Sequence, residues 1–302
     1  MKAYTDIDVV IIGGSYAGLS AGMALGRSLR RVLIIDNGLP CNRQTPHSHN
    51  FLTQDGETPA NIAQKAKEQV LAYDTVGFLP DTVIRVEKET SGFHIQTASG
   101  TNLYCKKLIF ATGLKDIMPA IPGFADCWGI SAIHCPYCHG YEVRNTKTGI
   151  LANGEFALHY AQLVSNLSKD ITLFTNGKAD FTPEQLEKIE RHHIRIIEKE
   201  IAIFDHHNGH IEQVVFTDGT SYTLETIYNR PAFVQHCSLP VDLGCELTEQ
   251  GLLKTDAMQQ TTVEHVFACG DNCSMMRSVA YAVATGNIAG AMANNQLAMA
   301  DF

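Results

Sequence analysis

Two stretches of this 302-residue chain repeat one pattern at a constant offset of 139 residues, with no gap. In the first, Asp8 opens the run Val9-Val10-Ile11-Ile12, β-branched residues suited to a strand buried on both faces. The run enters Gly13-Gly14-Ser15-Tyr16-Ala17-Gly18. A helical stretch rich in Ala, Leu and Met reaches about residue 29, and a strand at 32–35 ends on Asp36. In the second, Gly149-Ile150-Leu151 is the strand and Ala152-Asn153-Gly154-Glu155-Phe156-Ala157 the turn. Its helix reaches about residue 167, and 171–174 is its second strand. Strand, tight turn, helix and strand in that order make a βαβ unit. Two such units predict an α/β fold of two Rossmann-like three-layer domains.

The two units differ in chemistry. In the first, the glycine turn lets the backbone approach a pyrophosphate and the helix N-terminus stabilises its charge. Asp36 stands where an acid takes the ribose hydroxyls. Ser15 replaces the middle glycine of Gly-x-Gly-x-x-Gly, so the motif alone also admits a purely structural turn. In the second unit Ala152 stands for Gly13, Gly154 for Ser15, Ala157 for Gly18 and Thr175 for Asp36. The following Asn176-Gly177-Lys178 offers no guanidinium fork for a 2′-phosphate. The second unit is therefore expected to be degraded as a nucleotide site, which puts the use of NADPH or NADH in doubt.

Between and beyond the repeats the chain is regular. A polar loop spans 37–50, and a helix spans 58–73 with Thr58 as cap and Pro59 at its first position. Strands are expected at 83–88, 93–97, 103–105 and 108–110, the last ending in Ala111-Thr112-Gly113. Thr182-Pro183-Glu184-Gln185 reads as a capping box opening a helix to about residue 192. Strands near 195–203 and 212–216 flank Asn208-Gly209. A strand at 263–268 leads to Cys269-Gly270-Asp271, and Arg277-Ser278-Val279 precedes a helix to about residue 297. A strand ending in Gly-Asp before a helix suits a ribityl chain and phosphate. Because it lies far from the first glycine turn, the first domain is expected to be discontinuous. Residues 1–114 and 243–302 would enclose an inserted domain of 115–242, with crossings near 115–122 and 240–244.

The inserted segment carries His134-Cys135-Pro136-Tyr137-Cys138-His139-Gly140. A Cys-x-x-Cys pair at a helix start brings two sulfurs within disulfide range and favours a thiolate. Half of a zinc knuckle is one alternative, but no second Cys-x-x-Cys or Cys-x-x-His accompanies it. Cys135, Cys138 and His139 also match a c-type haem attachment, though nothing else in the chain suits an exported haem protein. A redox dithiol fits the surroundings best, and no metal site is expected. His192, His193, His206, His207 and His210 read as a solvated surface. Nine cysteines at scattered spacing are not a secreted disulfide framework. The net charge of −9 argues against nucleic acid and anionic membranes as partners. The apolar run 9–12 is too short for a signal peptide or a membrane span, so a cytoplasmic protein is expected.

In this order and spacing, Gly13–Gly18, Ala111-Thr112-Gly113, Cys135-Pro136-Tyr137-Cys138, Gly270-Asp271 and Arg277-Ser278-Val279 resemble the low-molecular-weight thioredoxin reductase family over essentially the whole chain. The resemblance implies FAD held by the first and last segments, a homodimer, and a dithiol that alternates between flavin and substrate as the inserted domain rotates. It implies cofactor contacts from Gly13, Gly14, Ser15, Tyr16, Ala17, Gly18 and Asp36. Further contacts would come from Asn37, Asn42, Arg43, His49, Asn50 and Val83, from Ala111, Thr112 and Gly113, and from Gly270, Asp271, Arg277, Ser278 and Val279. By the same resemblance Cys138 lies next to the flavin and Cys135 forms the mixed disulfide with substrate. His139 stands where the family usually has an acid, and His139 or His134 would protonate the released thiol. Cys-Pro-Tyr-Cys-His-Gly also looks like a branch containing dithiol oxidases of disulfide natural-product pathways, such as those for gliotoxin and holomycin. The expected partner is thus a thioredoxin-like protein or a small-molecule dithiol or disulfide. Ferredoxin or another donor would stand in for NADPH, or oxygen would reoxidise the flavin. A flavin-bound redox sensor is the non-enzymatic alternative.

Overall fold

The computed structural model describes residues 6–302. Strand β1 (Ile7–Ile12) is buried along its whole length. Val9 and Ile11 pack into one core while Ile7, Val10 and Ile12 pack into another. That is the two-sided burial its apolar run predicts. Helix α1 (Tyr16–Arg27) returns the chain to β2 (Val32–Asp36). Helix α2 (Pro59–Leu71) starts at Thr58, whose hydroxyl accepts from the Asn61 N–H, and leads to β3 (Val76–Pro80). Strands β4 (Val83–Glu89), β5 (Gly92–Thr97) and β6 (Asn102–Phe110) complete the first run. The two strands expected at 103–105 and 108–110 are one, because Lys106 and Lys107 interrupt the apolar pattern without interrupting the ladder. Residues 102–105 of β6 pair antiparallel with β5, and residues 105–110 pair parallel with β1.

Strand β7 (Leu114–Ile117) leads into the inserted segment. It continues with α3 (Phe124–Cys127), β8 (Ala132–Ile133), α4 (Pro136–His139), β9 (Thr148–Leu151), α5 (Gly154–Val164) and β10 (Ile171–Phe174). Helix α6 (Pro183–Arg191) has the reciprocal Thr182–Gln185 capping box that its sequence predicts. Then come β11 (Arg195–Ile197), β12 (Ile201–His207), β13 (His210–Phe216), β14 (Ser221–Thr223) and β15 (Thr226–Tyr228). The single strand expected at 195–203 is therefore two, belonging to different sheets. A parallel sheet runs β11-β10-β9-β15-β8, and β12-β13-β14 form an antiparallel meander. The repeat extends to strand register. Ile11 and Ile12 pair with Ile34 and Ile35, and Ile150 and Leu151 pair with Leu173 and Phe174.

The return strand, β16 (Ala232–Gln235), pairs antiparallel with β7, from Leu114↔Gln235 to Ile117↔Ala232. Past it, Leu239 and Leu243, on and just after α7 (Leu239–Asp242), lie against the core of the first sheet. Strand β17 (Val266–Ala268) then pairs with residues 108–110 of β6, sharing that edge with β5. The first sheet so has seven strands, ordered β3-β2-β1-β6-β5-β4 with β17 also on β6.

Helix α8 (Val279–Asp301) closes the fold against α1. The approach is set by backbone, since a methyl on Gly286 would lie 2.1 Å from the Ala17 carbonyl oxygen. The Ser20 hydroxyl donates to the Val283 carbonyl at 2.7 Å across the same contact. Gly286→Ala is expected to force the helices apart at a cost of about 1–3 kcal/mol. Denaturant unfolding measures it, and an unchanged midpoint would contradict the close approach.

Candidate functional site

The carboxyl ends of β1, β2 and β6 face a cavity of about 530 Å³ that also receives the segment after β17 and the start of α4. Gly13 has φ +107°, and a side chain there would begin 2.2 Å from the Ala111 carbonyl oxygen. Only glycine lets the β1 turn pass this close to the end of β6. At the next step Ser15 caps α1 without a side-chain hydrogen bond, and the first turn of α1 holds no acid. Its N–H groups thus face the cavity free for an anion. The Asp36 carboxylate accepts from Gly14 N–H at 2.6 Å and from Gly38 N–H at 2.7 Å. Free helix N–H groups beside an oriented carboxylate fit a phosphate-bearing dinucleotide such as FAD.

A charged cluster closes the far side. The Arg277 guanidinium grips Asp116 with both terminal nitrogens, at 2.7 and 3.0 Å, and its Nε lies 3.3 Å from Asp271. Burial pulls the Arg277 pKa down, but the two carboxylates outweigh it and hold it above its ordinary value. Burial pushes Asp271 up against the pull of Arg277. Behind them Asn272 is fully buried; its Nδ2 donates to the Phe110 carbonyl at 2.9 Å, and its Oδ1 has no partner among the described residues.

The dithiol opens onto the same space. Cys135 and Cys138 form a disulfide with Cα atoms 5.2 Å apart, and both line the cavity. Cys135 is the N-cap of α4, and its sulfur accepts from the Cys138 N–H at 3.2 Å. After reduction that donor favours a thiolate on Cys135. By contrast, burial pushes the thiol of Cys237, on the same wall, above its ordinary value. Burial first, then the Arg277 charge, pushes His134 down to about 4. Burial first, then His49, also lowers His139. Both imidazoles are neutral at neutral pH and can accept a proton. His49, from the polar loop, has its Nδ1 3.5 Å from Glu142 and its ring 6.3 Å from that of His139.

Of the residues expected at a flavin, the cavity brings together Gly13, Gly14, Ser15, Tyr16, Ala17, Asp36, Asn37, Asn42, His49, Val83, Ala111, Thr112, Gly113, Gly270, Asp271, Arg277, Ser278 and Val279. His134, Cys135, Cys138 and His139 join them. Gly18, Arg43 and Asn50 lie off its wall. A methyl on Gly18 would meet the Gly13 carbonyl oxygen at 1.8 Å, so this glycine packs helix on turn. Arg43 is exposed and donates to the Pro40 carbonyl at 3.1 Å. Exposed Asn50 gives its N–H to Asp55 at 2.7 Å. The sequence reading missed Asp116, Trp128, His236 and Cys237 on the wall. Asp116 sits on β7, which sequence alone reads as a plain crossing.

The pyridine nucleotide-disulphide oxidoreductase family matches residues 7–286. A thioredoxin reductase of Claviceps purpurea, tcpT, is 34% identical, covering 98% of this chain and 96% of its own length. Another from Leptosphaeria maculans, sirT, is 32% identical, covering 98% and 95%. The crystal structure of an oxidoreductase from Agrobacterium tumefaciens superposes with a TM-score of 0.92 at 35% identity, over 98% of this chain and 99% of that one. No described helix is long and apolar enough to cross a membrane.

The depressed His134 fixes a pH dependence. Between pH 6.5 and about 4 the unfolded chain takes up a proton at this position that the folded protein refuses. Stability contributed by neutral His134 is full above 6.5 and lost as pH falls through that window. His134→Gln should lose less stability than the wild type between pH 7 and pH 4.5 in urea unfolding. Equal losses would place His134 in a solvated setting.

Proposed function

The chain belongs to the pyridine nucleotide-disulphide oxidoreductase family, and from that premise we propose that it is an FAD-dependent thiol–disulfide oxidoreductase of the thioredoxin reductase type. The observation that carries the reading is the shared cavity: the Cys135–Cys138 disulfide opens onto the same space as the β1 turn and Asp271. Asp36, the free N-terminus of α1 and the segment from Gly270 to Val279 would hold the FAD. When bound, FAD supplies a two-electron exchange with the dithiol.

The protein residues move the thiol chemistry. In the oxidising direction a substrate thiolate attacks Cys135, the Cys135–Cys138 bond breaks and Cys138 leaves as a thiolate. The second substrate thiolate then attacks the substrate sulfur of the mixed disulfide, releasing a disulfide product and the Cys135 thiolate. Neutral His139 takes the substrate proton; His134, pushed down to about 4, is too weak a base for that role. Reduction of a disulfide substrate runs the same steps backward. Cys138 is the sulfur that would exchange electrons with the flavin, and the protein works as a homodimer. NADPH is a poor donor, because the second glycine turn lacks both the acid and the arginine fork. A thioredoxin-like protein is the partner for the reductive direction. The Cys135-Pro136-Tyr137-Cys138-His139-Gly140 sequence favours a second reading, in which a small-molecule dithiol is closed to its disulfide and oxygen is reduced to hydrogen peroxide. Aerobic dithiol consumption with stoichiometric peroxide separates that reading from the first.

Purified protein should be yellow and release FAD on denaturation. A folded, colourless protein that no FAD reconstitutes would sink the assignment. Cys135→Ser should leave a thiolate beside the flavin and give a long-wavelength charge-transfer band, while Cys138→Ser should not. The opposite pattern in absorption spectra would reverse the two roles.

A further inference from the structure

The repeat supplies an internal control for the inserted domain, since the first copy shows what a nucleotide turn looks like in this chain. At the common offset Asn153 stands where Gly14 does. In the first copy the Gly14 N–H is held by the Asp36 carboxylate. The left-handed residue is Gly13, at φ +107°. In the second copy the left-handed residue is Gly154, at φ +61°, two positions further along the pattern. The second turn is therefore built differently, not merely short of a glycine.

The Asn153 side chain explains the difference. Its Oδ1 accepts from Gly154 N–H and from Asp180 N–H, both at 2.9 Å. Its Nδ2 donates to the Lys178 carbonyl at 2.8 Å. One amide so ties the turn to the loop after β10, the two segments that a dinucleotide would have to part. It also consumes the N–H of Gly154, the first helical donor of α5. Glu155 adds a negative charge in the first turn of α5, where α1 has none. Thr175, at the position of Asp36, turns its hydroxyl to the Gly177 carbonyl at 2.6 Å. A pyrophosphate at this helix start would meet a filled gap, a missing donor and a carboxylate.

We propose that Asn153 is the specificity-determining residue that bars a pyridine dinucleotide from the inserted domain, by stapling its nucleotide turn shut. The inference rests on the reading of NADPH as a poor donor, and gives that reading its structural cause. Asn153→Gly opens the gap and frees Gly154 N–H, and glycine is tolerated as a helix cap. Asn153→Ser keeps a capping hydroxyl but is too short to reach the loop, so it reports even if the glycine variant folds badly. Titration calorimetry of the FAD-loaded protein with NADPH reads binding directly, and anaerobic flavin reduction by NADPH reads electron transfer. Both variants should bind NADPH at least about tenfold more tightly than the wild type. Weak binding by the wild type and by both variants would overturn the staple and leave the donor reading intact. Micromolar binding with fast flavin reduction in the wild type would overturn both.

Discussion

Backbone meets backbone at the turn after β1, and the rest of the site depends on that contact. The Ala111 carbonyl sits where a side chain on Gly13 would begin, and the Gly13 carbonyl sits where one on Gly18 would begin. On the other side of α1, Ala17 is pressed by Gly286 of α8. Three segments far apart in the chain are thus drawn to one point by the absence of side chains. Their convergence puts the free N-terminus of α1, Asp36 and the Gly270-Asp271 segment around one cavity. The glycines serve that approach, and anion binding at the helix start follows from it.

The inserted domain meets this frame through a narrow ribbon. Strands β7 and β16 are only four residues each, yet both are fastened to the flavin side. Asp116 on β7 holds Arg277, and Gln235 on β16 donates to the carbonyls of Gly251 and Asn272, both at 2.9 Å. Arg277 and Asn272 flank the segment that a flavin would touch. The elements that set the placement of the dithiol are therefore bonded to the elements that form the cofactor wall. Polar side chains with few alternative partners give such a junction a definite geometry, which a purely apolar contact would not.

The two βαβ units share one strand register and differ in their turns. Their strands keep the same register, because pairing depends on apolar strands and not on the turn. Their turns differ: the left-handed residue is Gly13 in the first and Gly154 in the second. In the first, Gly14 leaves its N–H to Asp36; in the second, Asn153 takes the corresponding space for its own amide. The second turn satisfies its polar groups internally, with three hydrogen bonds from one side chain.

The sequence by itself determined the two α/β units, their offset, the capping box at Thr182 and the dithiol. Each of these is local: apolar runs, glycine spacing and side-chain caps act within one or two elements. It did not reveal that Lys106 and Lys107 lie inside a continuous β6, since a strand that takes different partners along one edge follows its neighbours and not its own pattern. Nor did it reveal the β7–β16 ribbon, whose short strands come from positions more than a hundred residues apart. The grip of Asp116 on Arg277, the lowered pKa of His134 and the hydrogen bonds of the Asn153 side chain come from the tertiary structure alone. In each, what a side chain does depends on which distant groups surround it and how much water they exclude, and neither quantity is written in the neighbouring residues.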